Sequence, residues 1–219
     1  YIEMWNKARL HQALWNSIKV GVIASIISTF IALFAAKAFT RYRVKYSGLS
    51  YGAILLPFII PEIIIAVAFI VIWTSMGLKL GLIPITISHV LYCTPFCLLI
   101  LISRMDGFDK SLEEASMDLG ENVFGTFWRV TFPLLLPGII ASLLLSFVIS
   151  FDEFILAFFL SSSDQTLPIY MWSQLRFPKK LPHVLALGAI IIVATSFIVM
   201  LSYWFRNIGQ SKNNKGIHI

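Results

Sequence analysis

The chain has 219 residues, of which 58% are hydrophobic and 13% charged, with a mean hydropathy of +0.84 and a formal net charge of +6. A soluble domain of this size carries about a quarter charged residues, so a solvated globule is excluded. The cations sit in short stretches flanking apolar blocks, where they anchor a chain to lipid headgroups, so the basic balance points to membrane and not to nucleic acid.

A bilayer core about 30 Å thick takes roughly 20 apolar residues as a helix, and five blocks qualify: 16–38, 53–75, 82–103, 134–160 and 183–205. Backbone groups in lipid must find partners within the chain, so the expected fold class is all-α, a polytopic bundle of transmembrane helices over residues 16–206. The chain opens on Tyr1 and no signal peptide precedes the first block. Residues 1–15 are expected as an external segment, with earlier N-terminal sequence missing.

The first block carries Ala24, Ser28, Ala32 and Ala36 at four-residue intervals, a stripe that lets a neighbouring helix come close. Residues 37–52 hold Lys37, Arg41, Arg43 and Lys45 with no acid, the composition of a cytoplasmic connection. The second block contains Pro57, Pro61 and Glu62 and the third Pro95, features of helices that face other helices or a cavity. Residues 76–81 leave room for a turn only. Cys93 and Cys97 have no His or carboxylate beside them in sequence, so they read as packing groups and no metal site is expected.

Residues 104–132 are polar and carry their own helical signals. Ser111 with Glu114 three residues on fits a capping box, and Gly120 is a natural terminator. Asn122 can cap a second short helix on which Val123, Phe127 and Val130 share a face. Residues 161–182 are expected as a Ser- and Pro-containing loop, and 207–219 as a polar tail.

The segment Glu114-Ala115-Ser116, then Gly120, then Val130-Thr131-Phe132-Pro133 resembles the Glu-Ala-Ala ("EAA") loop of the permeases of ATP-driven (ABC-type) importers. The spacing matches at each step, with Asp118 inside the motif. Ser88-His89-Val90, Cys93-Thr94-Pro95-Phe96, Ser150-Phe151-Asp152-Glu153 and Leu167-Pro168 are similar to spermidine/putrescine permease subunits in particular. One departure lies at Pro182-His183-Val184-Leu185, where an acid and an amide are expected in place of His183 and Leu185. The resemblance implies six transmembrane helices, of which the first is missing here. It also implies that Glu114, Ala115, Ser116, Asp118, Gly120, Val130 and Pro133 belong to a coupling loop that docks on a cytoplasmic ATP-binding subunit. Further implied partners are a second homologous permease subunit and an extracytoplasmic substrate-binding protein, in a bacterial inner membrane. The chain has no phosphate-binding Gly-x-x-x-x-Gly-Lys-Ser/Thr loop, so no ATPase site and no cofactor of its own are expected.

Three acids fall inside apolar blocks, Glu62, Asp152 and Glu153, and an intramembrane acid is a functional candidate by default. Ser142, Ser146, Ser150 and Glu153 follow helical spacing and form one polar stripe, with Asp152 about 100° away on a straight helix. The expected cation pathway therefore runs past Ser146, Ser150 and Glu153, with Asp152 at its margin and Glu62 nearer the midplane. Trp73, Tyr170 and Trp172 are candidate aromatic contacts for a cation. A secondary transporter or channel for a cation would share these acids but has no use for the 104–132 hairpin. A membrane enzyme would need a catalytic constellation, whereas His11, His89, His183 and His218 are scattered.

Alternation along the chain puts 37–52 and 104–132 inside and 161–182 outside, with only a slight Lys/Arg bias to support it. A cysteine introduced by Ser162→Cys should react with an impermeant thiol reagent in intact cells, while one introduced by Ser47→Cys should not; the reverse labelling pattern would invert the topology.

Overall fold

A computed structural model describes residues 8–42 and 45–208. Residues 1–7 of the expected external segment, Arg43 and most of the expected tail (209–219) lie outside the described residues. The elements in chain order are α1 (Ala8–Arg41), α2 (Ser47–Ile59), α3 (Glu62–Ser75), α4 (Leu82–Asp106), α5 (Ser111–Asp118), α6 (Val123–Thr126), α7 (Phe132–Asp152), α8 (Ile155–Leu160), α9 (Leu167–Leu175) and α10 (Leu181–Asn207). A π turn, Phe127–Thr131, joins α6 to α7. Among the described residues four helical stretches are long and apolar enough to cross a membrane, and the bent pair α2–α3 raises that to five if it counts as one span.

The core is made by α1, α4 and α7. Helices α1 and α4 both run towards the 104–132 hairpin and α7 runs away from it. Small side chains set how closely they approach: Ala24, Ser28, Ala32 and Ala36 are all fully buried, as the four-residue stripe predicts. Ser28 and Thr29 of α1 each lie 3.6 Å from the Cys97 sulfur of α4. Cys97 and Cys93 in turn point at the carbonyls of Ser142 and Ser146 on α7. Both cysteines are free, buried packing groups. Near the hairpin, Leu33, Leu98, Leu101, Met105, Phe127, Leu135 and Ile139 close one apolar cluster over all three helices. Helix α10 lies outside this core, fastened to α7 where the Ser202 hydroxyl donates to the Ala141 carbonyl at 2.8 Å.

Three of the expected elements are not straight. The 53–75 block bends by 102° between α2 and α3. Pro61 cannot continue a helix from α2 and holds Ile60 extended (φ −76°, ψ 134°). The 134–160 block breaks at Glu153, whose backbone is also extended (φ −68°, ψ 125°). The expected loop 161–182 contains α9, whose first residue, Leu167, donates its N–H to the Ser17 hydroxyl at 2.8 Å. Asn16 holds the same strand of chain through the Gln165 carbonyl at 3.1 Å. Residues 8–15, the described part of the expected external segment, are helical and continuous with the rest of α1.

Gly21 lets α1 lie close to α7, because a Cβ there would meet the Phe147 ring at 3.0 Å. Gly21→Leu should therefore overpack the interface at a cost of about 1–3 kcal/mol and lower the melting temperature of the purified protein. Gly52→Leu, at a position with nothing within 4 Å, should leave it unchanged. Equal melting temperatures for the two variants would contradict this packing.

Candidate functional site

The chain's candidate functional residues fall in two places, a helical hairpin at one end and a set of acids within the bundle. In the hairpin, Ser111 is the first helical residue of α5 and not its cap; the expected capping box does not form, and Asp109, two residues before Ser111, supplies the oxygen at the helix start. Asp109 Oδ1 accepts the Ser111 N–H at 3.0 Å, and this bond holds the Asp109 carboxyl below the usual carboxylate range. Helix α5 ends before Gly120, which sits at φ +94° with open space around it. That backbone is one a side chain rarely adopts, which is why glycine occupies the turn. Asn122 then caps α6, accepting the Gly125 N–H at 2.8 Å. The Ser116 and Thr126 hydroxyls, 3.1 Å apart, tie the two arms together, and Arg129 pairs with Glu121 across the turn.

The second arm is not a separate helix. It passes through the π turn into α7, so that Val123–Asp152 forms one 30-residue stretch. Glu114, Ala115, Asp118, Gly120 and Pro133 are exposed, and Val130 and Ser116 are half-buried. Around them Leu112, Met117, Leu119, Val123 and Phe124 are exposed as well, Leu119 at 89% and Phe124 at 72%. The hairpin thus presents an apolar tip rimmed with acids, on two arms fixed to each other.

Glu113, which the sequence reading passed over, faces the other way. It is buried against the bundle, 2.7 Å from Arg41 Nε, and accepts the Thr131 hydroxyl.

Within the bundle the three acids occupy different environments. Glu153 is 7% exposed. Its Oε1 accepts the Leu156 N–H at 2.9 Å and its Oε2 the Ala157 N–H at 3.1 Å, so its carboxylate caps α8. Oε2 also lies 3.2 Å from His89 Nε2, and His89 Nδ1 is 2.7 Å from the Ser150 hydroxyl. Ser142, Ser146 and Ser150 are buried against α4, so the serine stripe is a helix–helix seam.

Asp152 is the exposed acid of the pair. It borders a cavity of about 420 Å³ lined otherwise by uncharged and mostly apolar groups, among them Phe154, Met171, Trp172 and Ile191, with the hydroxyl-bearing Thr195. The expectation of Glu153 facing the pathway with Asp152 at its margin assumed a straight helix; the helix ends between them, which buries Glu153 and leaves Asp152 exposed. Glu62 opens α3 and accepts the hydroxyl of Tyr92 on α4; a carboxylate in a first helical turn is favoured by the helix dipole. Of the candidate aromatics, Trp172 reaches the cavity. Tyr170 is buried among Leu10, Phe151 and Leu187, and Trp73 donates its indole N–H to the Lys79 carbonyl at 3.0 Å. Among the described residues no group of acids, histidines and cysteines could hold a metal ion.

Residues 28–212 match the family described as "Binding-protein-dependent transport system inner membrane component". The chain is 30% identical over 203 residues to the spermidine/putrescine transport system permease protein PotC of Haemophilus influenzae, covering 92% of this chain and 79% of that protein. Against PotC of Escherichia coli K12 it is 29% identical over 217 residues, 99% of this chain and 81% of that one. The putrescine transport system permease protein PotI of the same strain is 26% identical over 213 residues, with 93% and 75% covered. Among solved structures, a bacterial alginate ABC transporter in complex with an alginate pentasaccharide-bound periplasmic protein superposes with a TM-score of 0.70 at 14% identity, covering 100% of this chain and 83% of that one. An amino acid ABC transporter gives a TM-score of 0.67 at 15% identity, with 91% and 93% covered. The shared fold, the family match over most of the chain and the hairpin with its Gly120 turn agree, and the chain belongs to the inner membrane components of binding-protein-dependent transport systems.

Proposed function

We propose that this chain is a permease subunit of an ATP-driven importer for a small polycationic solute of the spermidine/putrescine type. It works with a cytoplasmic ATP-binding subunit seated on the hairpin, a second homologous permease subunit and an extracytoplasmic substrate-binding protein. Residues Glu114, Ala115, Ser116, Asp118, Gly120, Val130 and Pro133 carry the docking surface, and the exposed apolar tip at Leu119 and Phe124 supports that use.

The observation that carries the cationic substrate is Asp152. An acid in a membrane segment costs about 2.5–3.5 kcal/mol on insertion scales. Asp152 sits at an apolar cavity, and among the described residues no basic side chain pairs with it. A cation passing about 4 Å away would recover about 4 kcal/mol at an effective dielectric near 20. Glu62, tethered to the neutral Tyr92 hydroxyl, is the second acid offered to the solute. Glu153, Ser150 and Ser146 form the wall behind Asp152, where Glu153 fixes the end of the helix that presents it. Close identity to polyamine permeases over most of the chain favours a polyamine over other cations.

Asp152→Asn should lower uptake of labelled putrescine or spermidine per folded molecule by about tenfold or more, a loss of about 1.4 kcal/mol or more. Glu153→Gln should instead act chiefly through the amount of folded protein, since it disturbs a buried cap and its His89 contact. Substrate binding to the isolated external protein should be unaffected by either. Normal uptake by Asp152→Asn at normal abundance would remove Asp152 from the pathway.

A further inference from the structure

At the hairpin end one carboxylate, that of Glu113, is held between the last residue of α1 and the turn that enters α7. It lies on α5, the first arm of the hairpin, yet it is 9% exposed while the neighbouring Glu114 faces outward. Its Oε2 is 2.7 Å from Arg41 Nε, with the two side chains 12% and 8% exposed. The contact is an ion pair and not an aligned hydrogen bond. Its Oε1 accepts the Thr131 hydroxyl.

The two partners lie on different parts of the bundle, and through Arg41 the contact extends to a third. Arg41 is the last residue of α1. Its Nη2 donates to the Met105 carbonyl at 3.3 Å, near the end of α4, and its guanidinium lies 4.7 Å from the centre of the Phe108 ring. Thr131 closes the π turn that leads into α7. Lys37, one helical turn before Arg41, places its ammonium 4.4 Å from the centre of the Phe127 ring at the start of the same π turn. The remaining polar side-chain link of α5 among the described residues, Ser116 to Thr126, stays within the hairpin.

A force applied to the exposed tip can reach the bundle only through groups that connect the two, and energetic coupling needs such a contiguous physical path. A buried ion pair holds its geometry tightly, because neither charge can leave its partner without being stranded. A π turn is the opposite kind of element, a local insertion in a helix that often marks a point of adjustment.

We infer that Glu113, joined to Arg41 and Thr131, is the positioning residue that carries movement of the hairpin into α1, α4 and α7 together, with the π turn Phe127–Thr131 as the compliant joint. Glu113 thus complements the outward-facing motif residues: those receive the ATP-binding subunit, and Glu113 passes its displacement on. The inference rests on the docking role proposed for the hairpin.

The test uses the complete transporter, with its ATP-binding subunit, partner permease and binding protein, reconstituted in proteoliposomes and assayed with labelled putrescine. The readout is putrescine taken up per ATP hydrolysed. Glu113→Gln should keep the ATP-binding subunit in the purified complex while uptake per ATP falls about tenfold. Thr131→Val, nearly the same shape without the hydroxyl, should give a smaller loss, about threefold. An assembled Glu113→Gln complex with an unchanged ratio would overturn the inference. If Glu113→Gln does not assemble, Thr131→Val decides: a lowered ratio supports the inference and an unchanged one overturns it. Absence of the ATP-binding subunit from the unmodified complex would overturn the docking role as well, which separates the two failures.

Discussion

A helix that starts inside a membrane leaves its first backbone N–H groups without partners, and no water is there to satisfy them. At the break after Asp152 the Glu153 carboxylate takes two of them, from Leu156 and Ala157. Much of the bundle's working geometry depends on this one side chain. Because Glu153 turns inward, it must be sheltered, and His89 of α4 lies 3.2 Å from it with Ser150 of α7 behind. Because the helix stops there, Asp152 is left at the edge of the apolar cavity and not on the seam between helices. The short helix α8 can then pack Leu156 against Ile65 and Ala66 of α3. Its end accepts the Gly81 N–H from the turn before α4 at 2.9 Å.

The same logic runs through the rest of the molecule. Backbone breaks occur where a side chain or a special residue can settle them: Pro61 between α2 and α3, Gly120 and Asn122 in the hairpin, Ser17 at the start of α9. Between the breaks, small residues and cysteines let α1, α4 and α7 lie close, and that packed core gives the breaks something rigid to bear on. The outward face of α10 and the tip of the hairpin carry the apolar surface that a lone subunit leaves uncovered, consistent with a component that functions within an assembly.

Much of this was legible in the sequence, but unevenly. Local signals translated well. The four-residue stripe on α1 is buried as its spacing requires, Gly120 has the positive φ that its place after a helix implies, and Asn122 caps as its position predicts. Periodicity also found the serine stripe on α7. It could say which residues share a face, but not which neighbour that face meets, and the neighbour is α4 rather than a pathway. The break at Glu153 left no mark, since Phe-Asp-Glu-Phe contains neither glycine nor proline and the apolar run continues past it. The partners that define the sites were the least legible. His89 meets a residue 64 positions away and Glu113 one 72 positions away, and no local pattern joins them. Glu113 was hidden by its neighbour, because the motif that carries the resemblance begins at Glu114. One clue was available: an acid beside an exposed leucine, on a short helix whose apolar residues do not form a single face.

The account stands on the hairpin being the surface on which an ATP-binding subunit sits. Site-directed crosslinking tests this most directly, with a cysteine introduced by Glu114→Cys in the assembled transporter; Cys93 and Cys97 are buried and should not compete. The expected result is a crosslink from position 114 to the cytoplasmic ATP-binding subunit that strengthens when the nucleotide state changes. A crosslink to the external substrate-binding protein, or none to the ATP-binding subunit in a complex that transports normally, would contradict it.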